Sequence, residues 1–327
     1  MNQLLRRHWL QAALIGTAIA FVGNVQAQNY PSKPIRLVVP FTPGGVTDTS
    51  GRLIAEQLSK RLGQQVIVDN KPGASGNIGT QQVATSEPDG YTLLLVAPDL
   101  AINESLMATR LSYDARKDFS PVIRAAWSPM VLVTHPSVPA KNVSEFLALA
   151  KARPGKINFA SGGIGTGAHL ALELFKTRAG VDLTHVPYKG NGPATSDLLG
   201  GQVSAMFLQY AVAKPHVAGG KLVMLATPSG KRSQAIPEVP TIAESGLPGF
   251  DVEPWFGIVA PAGTPAAIVN RLNAEIAKIM QQNDVKDMLA SVGAAPSIST
   301  PQEFGKFIDS EISRWAEVVK TSGAKAD

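Results

Sequence analysis

Ile35-Arg36-Leu37-Val38-Val39-Pro40-Phe41-Thr42-Pro43-Gly44-Gly45-Val46-Thr47-Asp48 decides how the rest of the chain is read. A short β-branched run ends at a proline, a glycine loop follows, and Leu53, Ile54, Leu58 and Leu62 then recur at helical spacing. This predicts strand, loop and helix, stopped by Gly63. Downstream, Val66-Ile67-Val68 reads as a second strand that opens into Lys71-Pro72-Gly73-Ala74-Ser75-Gly76-Asn77-Ile78-Gly79 and another helix. Pro88-Asp89-Gly90 then signals a turn before a strand over 91–96. Strands alternating with helices at this pace predict a parallel, doubly wound α/β sheet.

The pattern restarts at Val131-Leu132-Val133. A helix over 142–152 and the strand Ile157-Asn158-Phe159 lead into Ala160-Ser161-Gly162-Gly163-Ile164-Gly165-Thr166-Gly167. A helix over 168–177, the strand Thr184-His185-Val186, a loop over 187–193, a helix to Leu199 and a strand over 203–207 complete the second half. Two α/β halves therefore share one chain, with no close internal repeat and no low-complexity linker, and the length exceeds the usual single domain. The expected division is a first lobe of 28–127 plus 252–327 and a second lobe of 128–251, joined by short hinge strands. Helices at about 265–281 and 301–320 are expected to pack back on the first half.

Arg6 and Arg7 precede an apolar run, and Val25-Gln26-Ala27 supplies a small-x-small cleavage pattern, so residues 1–27 read as a signal peptide. The run is shorter than the roughly 20 apolar residues of a membrane anchor. Arg6-Arg7-His8-Trp9-Leu10 also faintly resembles a twin-arginine signal, which leaves the export route open. No cysteine is present, which excludes disulfides, zinc thiolates, a thiol nucleophile and a lipid-bearing cysteine at the cleavage site. The expectation is a free monomer in a bacterial periplasm. Of 30 basic and 25 acidic residues the leader holds two arginines and no acid, leaving 28 against 25. That weak charge is dispersed, without the basic footprint of a nucleic-acid binder.

In open α/β sheets ligands bind beyond the carboxyl ends of the strands, where loops meet helix N-termini. Four loops have this character: 41–48, 73–79, 161–167 and Tyr188-Lys189-Gly190-Asn191-Gly192-Pro193-Ala194. Glycine lets the backbone approach a ligand, and the free amides of a first helical turn favour negative charge. One such loop is an ordinary strand-to-helix turn, but four, two in each half, suit a carboxylate.

Catalytic patterns fail on inspection. Gly163-Ile164-Gly165-Thr166-Gly167-Ala168 matches a dinucleotide fingerprint, yet the next strand ends in Val186-Pro187-Tyr188 with no acid for a ribose, and Asp182 precedes that strand. Gly230-Lys231 has Leu225 where a phosphate loop requires glycine. Gly73-Ala74-Ser75-Gly76-Asn77 misses the final glycine of a nucleophile elbow. His135, His169, His185 and His216 show no metal-ligand spacing and read as packing residues, His169 the least settled because it opens a helix beside a glycine loop. Trp255 and Phe256 read as core or hinge residues. No catalytic residue, metal site or cofactor is assigned, and an exported enzyme remains only a remote alternative.

At this point the chain resembles a known family. Pro40 to Asp48, Asn70-Lys71-Pro72-Gly73-Ala74-Ser75-Gly76, Pro88-Asp89-Gly90-Tyr91-Thr92, Tyr113-Asp114 and Lys117-Asp118-Phe119-Ser120-Pro121-Val122 resemble the tripartite tricarboxylate transporter receptors, also called Bug proteins. Pro187-Tyr188-Lys189-Gly190, Val239-Pro240-Thr241-Ile242-Ala243-Glu244-Ser245-Gly246 and Pro261-Ala262-Gly263-Thr264-Pro265 extend the resemblance over nearly all of the mature chain. It implies a type II periplasmic-binding-protein fold whose two lobes close on a small organic acid. It also implies delivery to a membrane permease with one large and one small subunit, or, alternatively, presentation of the loaded form to a sensor kinase.

The resemblance places one ligand carboxylate on first-lobe amides and ordered water, here at Phe41, Thr42, Gly44, Gly45, Asp48, Ala74, Ser75 and Asn77. Ser161, Gly165, Thr166, His169, Lys189 and Gly190 of the second lobe would read the rest of the ligand. Two loops depart from the family pattern. Ala97-Pro98-Asp99 stands where small hydroxyl residues are common, and Leu208-Gln209-Tyr210 where an aspartate and small residues are common. An acid at the cleft mouth would repel a second carboxylate unless it faces a ligand ammonium or hydroxyl or bonds a backbone amide, and a tyrosine could stack on an aromatic acid; the plain alternatives are a turn or helix cap at Asp99 and packing under a loop at Tyr210. Asp99 and Tyr210 therefore predict a mono- or dicarboxylate with a ring or hydrogen-bond donor, not a tricarboxylate.

Overall fold

The computed structural model describes residues 30–232, 236–291 and 294–326, so the expected signal peptide lies outside the described residues. Strand β1 (Ile35–Val39) lies parallel between β2 (Val66–Asn70) and β3 (Thr92–Val96), with Leu37 opposite Val68 and Leu93. Ile35, Leu37, Val38 and Val39 are all buried, which explains an unbroken apolar run where a half-exposed strand would alternate. Helix α1 (Val46–Leu62) follows β1 and ends on Gly63, whose φ of 67° supplies the left-handed cap. A 3₁₀ turn, Ala74–Gly76, opens α2 (Asn77–Ala84), and α3 (Asp99–Leu106) follows β3 directly.

β4 (Phe119–Trp127) crosses through Ser128-Pro129 into β5 (Met130–Thr134) of a second sheet. There the chain runs through α4 (Val143–Ala152), β6 (Asn158–Ser161), α5 (Gly167–Ala179), β7 (Thr184–Pro187), α6 (Asn191–Leu199), β8 (Ala205–Gln209), α7 (Tyr210–Ala218) and β9 (Val223–Ala226). It returns by way of 227–254 to β10 (Trp255–Pro261), α8 (Ala266–Gln281), α9 (Asn283–Ser291), β11 (Ala295–Pro296) and α10 (Pro301–Ser322). The first sheet has the order β11-β4-β10-β3-β1-β2 and the second β7-β6-β8-β5-β9.

The sheets are mixed, which corrects the expectation of purely parallel pairing. β1, β2 and β3 are parallel to one another, as β6 is to β7 and β8, but β10 runs antiparallel to β3 and β4, and β5 antiparallel to β8 and β9. A parallel neighbour needs a crossover helix to bring the chain back to the same end. β5 instead enters straight from β4 of the other sheet, and β10 from the second sheet by way of 227–254, each from the opposite end.

The two crossings run side by side: Trp127 is registered with Trp255, and the Ser128 amide donates to the Pro254 carbonyl at 3.0 Å. The buried Trp255 indole donates to Glu311 Oε2 at 3.0 Å, and Trp315 and Arg314 donate to the same oxygen. α10 therefore locks the return crossing in place. This helix starts with a reciprocal capping box between Thr300 and Glu303. It packs on α3 and β4, as expected of a C-terminal helix folded back on the first half, and also on α5 of the second sheet. Among the described residues no helix is long and apolar enough to cross a membrane.

Candidate functional site

The carboxyl ends of β1, β2 and β3 deliver two glycine loops to one edge of the first sheet. Asp48, in the first turn of α1, is buried and acts as a brace: Oδ2 accepts from the Gly44 amide at 2.9 Å and from Arg52 Nε at 3.0 Å, and Oδ1 accepts from Asn70 Nδ2 at 2.8 Å. Asn70 also donates to the Phe41 carbonyl and accepts from Arg52 Nη2. Burial alone would raise the Asp48 pKa, but the Arg52, Gly44 and Asn70 hydrogen bonds outweigh it and hold the carboxyl below its ordinary range. Asp48 is thus an ionised strut that fixes the 41–44 loop. Thr42, Gly44 and Gly45 remain exposed, and a Cβ added at Gly45 would meet open space.

The second loop is the only stretch among the described residues where non-glycine residues take positive φ: Ala74 at 46° and Ser75 at 55°, flanked by Gly73 and Gly76. Such backbone is strained and persists where its surroundings hold it. Here Asn103 Nδ2 donates to the Ser75 carbonyl at 3.1 Å and to Asn77 Oδ1 at 2.9 Å, and the Tyr113 hydroxyl donates to the same Asn77 oxygen. Asn77, expected as a ligand contact, is therefore held inside this network. Asn103 carries no local sequence signal; only the packing of α3 under the loop brings it there.

Asp99 does not stand at a cleft mouth. It is the first residue of α3, 8% exposed, and a Cβ on Gly76 would lie 2.8 Å from its Oδ2. Burial pushes its carboxyl up to about 7, opposed only by its own backbone amide.

In the second sheet, Ser161 ends β6 as a buried residue whose hydroxyl donates to the Gly163 carbonyl and accepts from the Gly163 amide. It also lies 2.7 Å from His185 Nε2. Thr166 caps α5 by accepting from the His169 amide, and its hydroxyl donates to the Gly163 carbonyl. His169 is buried beneath the loop, where its Nδ1 accepts from the Gly165 amide at 3.2 Å. Its ring stacks on His185 at 4.3 Å and 18°, a pairing across 16 residues that spacing did not reveal. Burial first, then the charges of His185 and Lys176, pushes His169 down to about 3; burial, then Lys176, takes His185 to about 4. Both rings are neutral supports at pH 7.

Gly190 closes onto the same loop by donating its amide to the Gly162 carbonyl at 3.0 Å. Lys189 is exposed. Asn191 Nδ2 donates to Gln209 Oε1 at 3.0 Å, tying α6 to the end of β8. Tyr210 opens α7 partly buried, with the Lys214 ammonium 5.9 Å from its ring centre.

The two sets of loops touch. The Ser75 hydroxyl donates to the Ile164 carbonyl at 2.8 Å, and a Cβ on Gly165 would lie 3.1 Å from Asn103 Oδ1 and 3.3 Å from Ser75 Oγ. Strand ends of the two sheets therefore face each other across a closed gap. Helices α1, α2, α6 and α7 begin at these ends with no side-chain cap, while α4 and α10 elsewhere are capped by Asn142 and Thr300. Uncapped first-turn amides are donors that favour an anion, although the first amides of α2 and α7, those of Asn77 and Tyr210, already donate to the Ala74 and Pro129 carbonyls. Among the described residues no group of three His, Cys, Asp or Glu side chains could hold a metal ion.

This arrangement has counterparts. The model of the tripartite tricarboxylate transporter family receptor matches residues 51–324. Protein BugT of Bordetella pertussis is 44% identical over 318 residues, covering 96% of this chain and 97% of its own. An R. palustris protein solved with adipate is 38% identical with a TM-score of 0.84, over 90% of this chain and 99% of that one. MatC from Rhodopseudomonas palustris, with bound malate, is 36% identical with a TM-score of 0.80, over 89% and 100%. Such similarity over almost the full described length, joined to two α/β lobes meeting at their glycine loops, makes this chain a member of the tripartite tricarboxylate transporter receptor family.

Proposed function

We infer that this receptor captures a small organic carboxylate between lobes formed by 28–127 plus 252–327 and by 128–251. The observation that carries the reading is the set of uncapped helix N-termini converging from both sheets on one closed gap. One ligand carboxylate lies against the 41–45 and 74–79 loops, on amides such as that of Gly45, while the Gly44 amide is held by Asp48, which keeps the first loop rigid from behind. Gly165, Gly190 and the exposed Lys189 face the remainder of the ligand. The paired crossings at Ser128 and Pro254 form the hinge, which lets the lobes open by rigid-body rotation. The proteins solved with adipate and malate support a dicarboxylate of four to six carbons.

On this reading the chain is exported through cleavage near Ala27, works in the periplasm as a monomer, and hands its ligand to a permease of one large and one small subunit. It is a binder and not an enzyme. Among the described residues two serine–histidine pairs lie at 2.7 Å: in Ser137–His135 the ring Nδ1 also accepts from the Ser137 amide within one turn, and in Ser161–His185 the serine is fully buried under its own loop and the histidine is stacked on a second ring. A thermal-shift screen of mono-, di- and tricarboxylates tests the function, since a ligand at a hundred times its Kd adds about 2.7 kcal/mol of stability. Adipate- or malate-like acids are expected to raise Tm; a response confined to uncharged solutes would overturn the reading.

A further inference from the structure

The floor of the first lobe holds a carboxyl that no cation neutralises. Among the described residues Asp99 forms no ion pair, and its carboxyl is met only by its own backbone amide. The charged groups on the elements around it are engaged elsewhere. Asp48 is held by Arg52, Lys71 reaches Asp69, Glu104 accepts from the Ala115 amide, and Glu311 on α10 pairs with Arg314. His169 on α5 is neutral, and the Tyr113 hydroxyl, its pKa raised by burial and then by Asp99 itself, points at Asn77. A second buried group of the same floor is orphaned: Asn103 Oδ1, four residues along α3, has no donor and faces Gly165 of the other lobe. An unsatisfied buried acceptor aimed across the gap marks this floor as a surface that a polar ligand completes.

We propose that Asp99 is an un-ionised acid in the loaded receptor, donating its proton to a ligand carboxylate at the end of β3. The inference rests on the carboxylate-binding reading above and names its specificity-determining group. A buried carboxylate beside a ligand carboxylate would be two like charges in a poorly solvated space, whereas an acid beside a carboxylate is a short, charge-assisted hydrogen bond. The first turn of α3 favours negative charge but falls short of offsetting burial. The floor thereby accepts an anion where the sequence suggested repulsion, and couples binding to protonation. Above a pH of about 7, each ligand bound takes up one proton from solvent.

Calorimetry with adipate and malate between pH 6 and 9 tests this, alongside the Asp99→Asn variant and thermal unfolding of the ligand-free proteins. The wild type is expected to lose affinity about tenfold per pH unit above pH ~7, with proton uptake seen as a dependence of the heat on buffer ionisation, and Asp99→Asn to flatten that slope. Because the folded state raises this pKa, its stability is full near pH 4 and is lost as pH rises toward 7. Wild type should therefore unfold below Asp99→Asn at pH 8 but level with it at pH 4. A wild-type affinity independent of pH, or a Tm gap equal at both pH values, overturns the proposal while the receptor reading stands. Absence of binding by any carboxylate at any pH overturns both.

Discussion

Helices that begin at the gap between the lobes and helices that begin elsewhere are built by different rules. α4 starts on Asn142, whose side chain accepts from the Glu145 amide, and α10 on a full Thr300–Glu303 capping box. α1 and α2 start on Gly45 and Gly76, α6 on Gly190 and α7 on Gln209, with no side-chain cap at any of them. Two helices blur the contrast: α5, beside the gap, is capped by Thr166, and α8, away from it, starts uncapped on Pro265. An N-cap typically contributes about 1 kcal/mol. Forgoing it at these four helices, and at α3 on Pro98, leaves first-turn donors other than the bonded Asn77 and Tyr210 amides for an anion, so the fold gives up local stability for binding.

The sharpest way to break this comparison is Gly45→Val. The backbone there is ordinary, with φ at −76°, and nothing lies within 4 Å of the added Cβ, so the fold should be kept. A valine would hold the ligand off the α1 amides, and two charge-assisted hydrogen bonds at about 1.5–3 kcal/mol each set a loss of roughly a hundredfold or more in affinity, read by calorimetry. Wild-type affinity in a folded variant would move the anchor elsewhere.

Acid should expose what supports the second-lobe loop. His169 and His185 have folded-state pKa values below their ordinary one, so the unfolded chain binds more protons. Stability is full above pH ~6.5 and falls as pH drops toward about 4. At pH 5 the His185 shift alone corresponds to about 2 kcal/mol. His185→Gln should reduce that acid sensitivity in denaturant titrations at pH 7 and pH 5; an unchanged difference would remove the stacked pair from the account. The smallest effect is expected at the control helix, where Thr300→Ala should cost about 1 kcal/mol of stability and leave affinity untouched. A loss of affinity there would show that the two classes of helix start are not separate.

Much of this was legible in the chain itself. Ile35 to Asp48 and Phe159 to Gly167 read correctly as strand, glycine loop and helix because burial on both faces produces short β-branched runs, and glycine marks where backbone turns sharply. The antiparallel strands were harder. β10 is apolar throughout and lies between turns, a pattern that gives no direction, and its antiparallel course follows from the crossing, which is a long-range event. The expected ligand contacts divide by the same logic. Glycines and their loops could be read locally, whereas Arg52, Asn70 and Asn103 act through partners brought in from other elements. Asp99 opens a helix, as ordinary Pro-Asp helix-start chemistry allows, but its burial was not legible, because it is set by the packing of Gly76 over it.

Amide hydrogen exchange with and without saturating adipate or malate tests the central claim most directly, because that claim concerns particular backbone N–H groups. Protection is expected to rise together in 44–49, 74–80 and 190–194, on both sides of the gap, and to stay unchanged at 143–146 and 301–304, where side chains already cap the helices. Protection appearing at the capped starts, or on one lobe alone, would contradict an anion held between two sets of uncapped helix ends.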